Sequence, residues 1–265
     1  MKPIIIIILL LIALSGFSQP DETSVSIVTD RPSFSASSRT VPHKSLQIEA
    51  GFSMDVFNAK NSQDFKTSEQ SFPTPMIRWG AFKGVEFRLF NTFLRKKTED
   101  PTVPVEDRNS YGFGNLIVGT KINITKEKGV RPEIAVLSHL IFPTGHPDVR
   151  LFDELEFDIL FSLSHRLFDK FSLGCNLGWA SVADSKNGDG IYSLILEYGI
   201  SDKFSAFIEG FGFLVDMNSG TFELDGGISY LLKPHMQFDI AGGRGFTTNS
   251  YFISFGFSIL FAQLY

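Results

Sequence analysis

The sequence contains a single cysteine, Cys175, among its 265 residues. One cysteine cannot form a disulfide within the chain, nor can it build a metal site that needs several thiolates. An excess of basic charge is also lacking, because 24 Lys and Arg stand against 29 Asp and Glu, for a formal net charge of −5. The composition therefore gives no reason to expect a nucleic-acid partner.

Long apolar runs are missing from all but the beginning of the chain. A helical membrane protein needs several stretches of about 20 apolar residues, whereas this sequence has one apolar run, within MKPIIIIILLLIALSGFS at 1–18. Lys2 precedes the run, and the small residues Gly16 and Ser18 stand before Gln19. This pattern predicts a secretory signal peptide over 1–18, cleaved before Gln19. An uncleaved N-terminal anchor is the alternative.

Aromatic residues and glycine are abundant, with 28 Phe and 23 Gly. Disordered chains are poor in aromatic residues, so this composition favours a folded, β-rich protein. After residue 45 the sequence divides into segments of about ten residues in which apolar and polar positions alternate, as in transmembrane β-strands. In 251–261, for example, every odd position is large and apolar, while Ser254, Gly256 and Ser258 lie between them.

These segments predict an all-β fold, a transmembrane antiparallel β-barrel of about 12 strands. The predicted strands lie near 45–57, 72–81, 84–95, 110–124, 130–142, 151–166, 171–182, 190–200, 204–216, 220–232, 236–244 and 250–261. A soluble β-sandwich with a Phe-rich core is the alternative, but the outward faces of a sandwich should be polar.

The predicted connections alternate between short turns and mostly longer loops, which is typical of outer-membrane barrels with short periplasmic turns. Aromatic residues with outward parity fall at both ends of the strands. Those near the periplasmic ends are Trp79, Tyr198, Tyr230 and Phe261, and those near the external ends are Trp179, Tyr192, Phe222 and Tyr251. Two such girdles mark the two interfaces of a bilayer. The predicted location is the outer membrane of a Gram-negative bacterium, and the predicted partner is outer-membrane lipid.

Short motifs spread over 28–260 resemble a family of outer-membrane transporter proteins, also named after the phenol-degradation meta-pathway. The motifs are TDRPSF at 29–34, VP at 41–42, LQIEAG at 46–51, RWG at 78–80, VEFRL at 85–89, Gly112, Gly114, Asn115, Gly119, Lys121, FPTG at 142–145, LG at 173–174, NLG at 176–178, DGG at 225–227, YLL at 230–232, Gln237, Asp239 and GRG at 243–245. The resemblance implies a barrel that takes up or exports a small molecule, aromatic or hydrophobic in character.

Charged residues occur at the positions that the alternation assigns to the barrel interior. The candidate lumen or pathway residues are Glu49, Arg78, Glu86, Arg88, Lys121, Glu133, His139, Glu156, Asp158, Glu197, Asp225 and Asp239. Charges are rarely buried in a dry core unless they are paired, and they are natural in a wet lumen. Two interpretations remain open: a self-neutralising network that stiffens a narrow barrel, or a pathway with an acidic bias. Residues 204–215 do not fit the alternation well, because Glu209 shares a parity with Phe207, Phe211 and Phe213.

The predicted organisation is a signal peptide at 1–18, an N-terminal segment at 19–44 and a barrel at 45–265. The N-terminal segment holds Asp30 and Arg31 and also the apolar residues Ile27, Val28 and Phe34. It is either a periplasmic tail or a plug that folds into the lumen, where Arg31 would meet inward acids.

Catalytic motifs are absent from the sequence. No G-x-S-x-G elbow, HExxH, Walker loop or G-x-G-x-x-G is present. His139 has inward parity and is interpreted as a hydrogen-bonded lumen residue rather than a base. No enzymatic activity, cofactor or metal is therefore predicted. The expected function is a channel or transporter for small molecules, and the alternative is a structural or surface-interaction barrel with a closed lumen.

Overall fold

The computed structural model describes residues 26–58, 66–72, 75–99, 108–183, 185–262 and 264. The predicted signal peptide at 1–18 lies outside them. None of the described residues belongs to a helix long and apolar enough to cross a membrane.

Sixteen β-stretches follow one another along the described chain. They are β1 Leu46–Asn58, β2 Lys66–Phe72, β3 Met76–Phe82, β4 Val85–Phe90, β5 Phe93–Glu99, β6 Arg108–Phe113, β7 Leu116–Thr125, β8 Glu133–Phe142, β9 Glu156–Phe168, β10 Phe171–Ala180, β11 Asp189–Gly199, β12 Phe204–Val215, β13 Ser219–Gly220, β14 Glu223–Lys233, β15 Met236–Gly245 and β16 Ser250–Phe261.

Twelve antiparallel barrel strands result, which confirms the predicted fold class. The pairs β2 and β3, β4 and β5, and β6 and β7 each act as the two halves of one barrel strand, and β13 is a two-residue stretch beside β12. In β1, for example, residues 53–58 pair with β2 and residues 46–49 pair with β3. The sheet closes where β1 pairs with β16, from Leu46 opposite Phe261 to Phe57 opposite Ser250. Closure gives each of the twelve barrel strands a neighbour on both sides, which a bilayer requires of a β structure.

The two faces of the sheet have opposite chemistry. On β16, Tyr251, Ile253, Phe255 and Phe257 are exposed on the outer face, while Ser254 and Ser258 are buried on the inner face. This is the parity that the sequence predicts, and it gives an apolar wall toward lipid and a polar wall toward the lumen.

Several predicted boundaries are wrong by a few residues. Strand β9 begins at Glu156 rather than near 151, because the backbone N–H groups of Leu151 and Phe152 donate to Asn115 Oδ1 at 2.9 and 3.3 Å. Those residues thus belong to a loop that folds against the start of β7. The stretches 58–71 and 96–109, predicted as loops, also contribute strand residues, since β2, β5 and β6 lengthen their barrel strands at the ends away from the short turns.

The short turns gather at one end of the barrel. Between β3 and β4 the turn contains Gly84, whose φ of 76° lies in the left-handed region that favours glycine. The N-terminal segment enters at this end, because Ile27 N–H donates to the carbonyl of Pro234, in the turn between β14 and β15, at 2.7 Å.

Candidate functional site

Residues 26–44, called here the lumen segment, run inside the barrel. The segment starts at the short-turn end, where Ile27 and Val41 are buried together with Leu260 of β16. From there it crosses to the opposite wall and returns to the same end before β1 begins. It makes hydrogen bonds or ion pairs with β1, β3, β4, β7, β8, β9, β10, β11, β12 and β15.

Glu209 of β12 holds the tip of the lumen segment. Its carboxylate accepts the backbone N–H groups of Phe34 and Ser35 at 2.7 and 2.8 Å, and also the Ser35 hydroxyl. The Phe34 ring stacks on Phe211 with centroids 4.4 Å apart and meets Phe213 edge-on at 5.7 Å. An aromatic patch on the inner wall therefore surrounds the charged acceptor.

Small polar side chains of the wall form hydrogen bonds with the backbone of the next part of the segment, residues 36–38. Asn176 Oδ1 accepts Ala36 N–H at 2.7 Å, and Ser162 Oγ donates to the Ala36 carbonyl at 2.7 Å. Asn123 Nδ2 donates to the carbonyl of Ser38 at 3.1 Å. Backbone groups that leave water need such partners, so these wall residues let an irregular chain lie inside the barrel.

Asp30 contacts a group of buried charged residues on β1, β3, β4 and β7, called here the wall cluster: Glu49, Arg78, Glu86, Arg88 and Lys121. Lys121 Nζ donates to both carboxylate oxygens of Asp30, at 3.1 and 3.0 Å. Arg88 Nη2 donates to Asp30 as well, and Arg78 Nη1 lies 3.7 Å from it. Burial alone would raise the pKa of Asp30, but Arg78, Lys121 and Arg88 outweigh it and hold that pKa well below its usual range.

Arg31 extends from the segment to a different part of the wall. Its Nη2 donates to Asp239 of β15 at 3.1 Å. Gly51 and Gly256 face each other across β1 and β16, and a Cβ on either glycine would collide with the Arg31 guanidinium. The two glycines thus leave the space in which Arg31 lies.

The other predicted lumen residues lie at three levels. Toward the short-turn end, Glu133 pairs with Arg39 at 3.4 Å and with Lys126 at 3.2 Å, and Glu197 lines a cavity. Next to Arg88, His139 Nδ1 lies 2.8 Å from Asp158. Glu156 is at the opposite end, where its carboxylate accepts hydrogen bonds from the Ser181 hydroxyl at 2.7 Å and the Ala183 N–H at 2.8 Å.

Asp225 differs from the other predicted residues in that its neighbour on the next strand is another acid. It is 4 % exposed, and no donor group among the described residues gives a hydrogen bond to either of its carboxylate oxygens. It lies directly across from Glu209 in the pairing of β12 with β14. In the part of the chain that the structure describes, no group of three or more His, Cys, Asp or Glu side chains is placed to hold a metal ion.

The residues that sequence reasoning did not select are Glu209 and the small polar side chains Ser162, Asn176 and Ser193. Glu209 was visible as the acid among Phe207, Phe211 and Phe213, all of which point inward with it. An aromatic patch on the lumen side therefore explains why 204–215 does not follow the usual alternation.

Two cavities flank the lumen segment near the short-turn end, with volumes of about 240 and 420 Å³. Val28, Arg39 and Glu127 line both cavities. Space beside the segment is thus lined by polar and charged groups.

A family profile described as "Putative MetA-pathway of phenol degradation" matches residues 29–261. The match begins inside the lumen segment and ends at the last residue of β16. No protein of curated function is similar to the chain in sequence.

Solved structures of outer-membrane barrels are similar to this one. An outer membrane channel from Pseudomonas putida F1 is 11% identical with a TM-score of 0.67, covering 92% of this chain and 100% of that chain. The translocator domain of autotransporter NalP from Neisseria meningitidis is 11% identical with a TM-score of 0.53, covering 83% and 90%. The KdgM porin in complex with disordered oligogalacturonate is 10% identical with a TM-score of 0.50, covering 80% and 98%. At these identities the likeness shows the fold, a closed barrel of the bacterial outer membrane.

Proposed function

The chain belongs to the family described as "Putative MetA-pathway of phenol degradation", and we propose that it is a channel for small aromatic or hydrophobic molecules. The barrel is in the outer membrane, and the lumen segment occupies its passage. In this proposal the segment leaves the wall, in whole or in part, when a solute passes. No catalytic step is involved.

The observation that carries the proposal is the way the lumen segment is held. It lies against ten of the barrel strands, but it does so through side-chain contacts to separate wall positions and not through a continuous β-ladder. A hydrogen bond between neutral groups contributes about 0.5–1.5 kcal/mol and one to a charged group about 1.5–3 kcal/mol, and each can be exchanged for water. A segment that only stiffened the wall would more simply add a strand to it.

The pathway residues in this proposal are the inward charged groups together with the aromatic patch. Phe207, Phe211 and Phe213 give the inner wall an apolar surface against which an aromatic ring can stack. The charges beside them keep the rest of the passage wet. This combination supports small aromatic or hydrophobic solutes over large polar ones.

A closed structural barrel is the second candidate, and one observation favours it. The wall cluster and Asp30 contain three cationic and three anionic side chains that neutralise one another inside the lumen. Such a network could serve rigidity alone.

Planar-bilayer recording separates the two candidates. Deletion of 22–42 removes the segment, so the single-channel conductance should rise above that of the wild-type chain. A closed structural barrel predicts that both proteins insert and that neither conducts. Unchanged conductance after normal insertion of the deletion variant would contradict the proposal.

Selectivity gives a second readout from the same recording. The inward carboxylates outnumber the inward bases, and a charge imbalance in a confined passage favours ions of the opposite sign. Arg31→Ala should therefore shift the reversal potential in asymmetric KCl toward cation selectivity, because it leaves Asp239 without its cation. A shift toward anion selectivity would contradict this assignment of the passage.

A further inference from the structure

The carboxylate of Asp30 is surrounded in the way a bound anion would be. Besides Lys121, Arg88 and Arg78, the backbone N–H of Ser37 donates to Asp30 Oδ1 at 2.9 Å. The side chains of Arg78 and Lys121 are 0% exposed, and that of Arg88 is 4% exposed. Several charge-assisted donors therefore converge on one carboxylate in a place that excludes water.

The donors are held by the wall and not by the segment alone. Arg78 forms a fork with Glu86, with Nε 2.7 Å from Oε1 and Nη2 3.0 Å from Oε2. Arg78 also donates to Glu49, and Arg88 Nε lies 3.2 Å from Glu86. These ion pairs fix both guanidinium groups from the wall side, so their positions do not depend only on Asp30.

The charges of the wall cluster do not balance without Asp30. Arg78, Arg88 and Lys121 carry three positive charges, while Glu49 and Glu86 carry two negative ones. Asp30 supplies the third negative charge. If the segment moves away, the cluster keeps one excess positive charge, and the donors of Arg88 and Lys121 that faced Asp30 lose their acceptor. A single carboxylate from another source would restore neutrality and satisfy the donors.

We infer that the wall cluster is a binding site for the carboxylate group of a solute, and that Asp30 occupies this site while the lumen segment is in place. The inference rests on the proposed function, since it gives the solute the means to replace part of the segment. The class of ligand is a small monocarboxylate, such as an aromatic or aliphatic acid.

The test is chemical rescue of Asp30→Ala in the full chain. This variant empties the site, so the temperature at which the barrel loses its unheated gel mobility should fall below that of the wild type. Added sodium acetate or benzoate should raise this transition temperature most of the way back to the wild-type value, while sodium chloride at equal ionic strength should not. Wild-type protein should not respond, because its own carboxylate fills the site.

Three variants serve as controls. Asp30→Asn fills the same space with a neutral group, so acetate should not rescue it. Arg31→Ala removes the neighbouring charge of opposite sign, and carboxylates should not rescue it either. Asp30→Ala combined with Lys121→Met loses a principal donor and should no longer respond to acetate. If Asp30→Ala does not fold, the 22–42 deletion takes its place, with and without Lys121→Met.

Rescue by acetate that equals rescue by chloride, or rescue that persists without Lys121, would overturn the inference. Its failure can be told apart from failure of the proposed function, because rescue is measured by barrel stability and transport by conductance. If the deletion variant conducts but carboxylates do not stabilise Asp30→Ala, the channel proposal stands and the carboxylate site is rejected. The converse result keeps the site and rejects the channel.

Discussion

Glu209 holds the tip of the lumen segment with a geometry that a neutral side chain cannot reproduce. Both carboxylate oxygens accept backbone N–H groups, those of Phe34 and Ser35. An amide has one acceptor oxygen and would place its NH₂ group against the second N–H. The negative charge at this position thus matters for docking the segment as well as for the charge of the lumen.

Glu209→Gln should loosen the tip of the lumen segment. Hydrogen bonds to charged groups contribute about 1.5–3 kcal/mol, and each 1.4 kcal/mol is about a tenfold change. Amide hydrogen exchange at Phe34 and Ser35 should therefore accelerate by roughly tenfold or more. Asp202→Asn, in an exposed turn, is the control and should leave exchange unchanged. Equal exchange in Glu209→Gln and wild type would show that Glu209 does not hold the segment.

The parity of β16 predicts unequal effects at two neighbouring residues. Phe257 faces outward and Ser258 is buried on the lumen side. Phe257→Arg should cost roughly 2–4 kcal/mol, since it places a charge on the lipid face near mid-membrane. Ser258→Arg should cost much less, since its charge would lie on the lumen side beside Glu49, which is opposite Ser258 in the pairing of β1 with β16. Denaturant titration in lipid vesicles measures both, and equal costs would contradict the assignment of the two faces.

Most inward charges could be read from the sequence because a strand exposes alternate residues to one side. Glu49, Arg78 and Lys121 each follow that rule. Glu209 could not be chosen with the same rule, since the aromatic side chains on both sides of it resemble a lipid-facing row. Its partners are backbone groups of the lumen segment, which carry no signature in the sequence.

The lumen segment is the element for which sequence reasoning left the widest choice. Its apolar residues and its Asp30-Arg31 pair are compatible with a tail or a plug, and many of its contacts with the wall join residues more than a hundred positions apart, which no local pattern reveals. Asp239, for example, lies 208 positions beyond Arg31. The breaks within two barrel strands, at 91–92 and 114–115, were also not predicted. At 114–115 the outward positions change from odd, at Tyr111 and Phe113, to even, at Val118, and a strand predicted over 110–124 passes over this change.

Gly256→Ala should weaken the fit between the lumen segment and the wall. The added Cβ would collide with the Arg31 guanidinium, so Arg31 must leave Asp239 or the segment must shift. Single-channel conductance should increase toward that of the 22–42 deletion, while the barrel keeps its gel mobility. Gly199→Ala is the matched control, since its Cβ would meet only an ordinary contact at 3.8 Å. Conductance that rises equally in both variants would point to the strands and not to Arg31.

Across the whole molecule, the inner wall is divided by charge. In the wall cluster three bases outnumber Glu49 and Glu86, whereas Glu209, Asp225 and Asp239 lie on β12, β14 and β15. Asp30 and Arg31 are adjacent in the chain and contact the basic and the acidic part respectively. The lumen segment therefore matches the charge pattern of the whole barrel, which explains how a chain without regular structure is held at a defined depth.

The most direct test of the account is to fix the lumen segment reversibly to the wall. Ser35 Oγ and Ser193 Oγ lie 2.6 Å apart, so cysteines at both positions, in a Cys175→Ser background, should form a disulfide. Uptake of a small neutral solute into proteoliposomes should be low after oxidation and should recover on reduction. The 22–42 deletion should admit the solute under both conditions. Equal uptake in the oxidised and reduced protein, with complete cross-linking and no gain on deletion, would contradict the claim that this segment controls the passage.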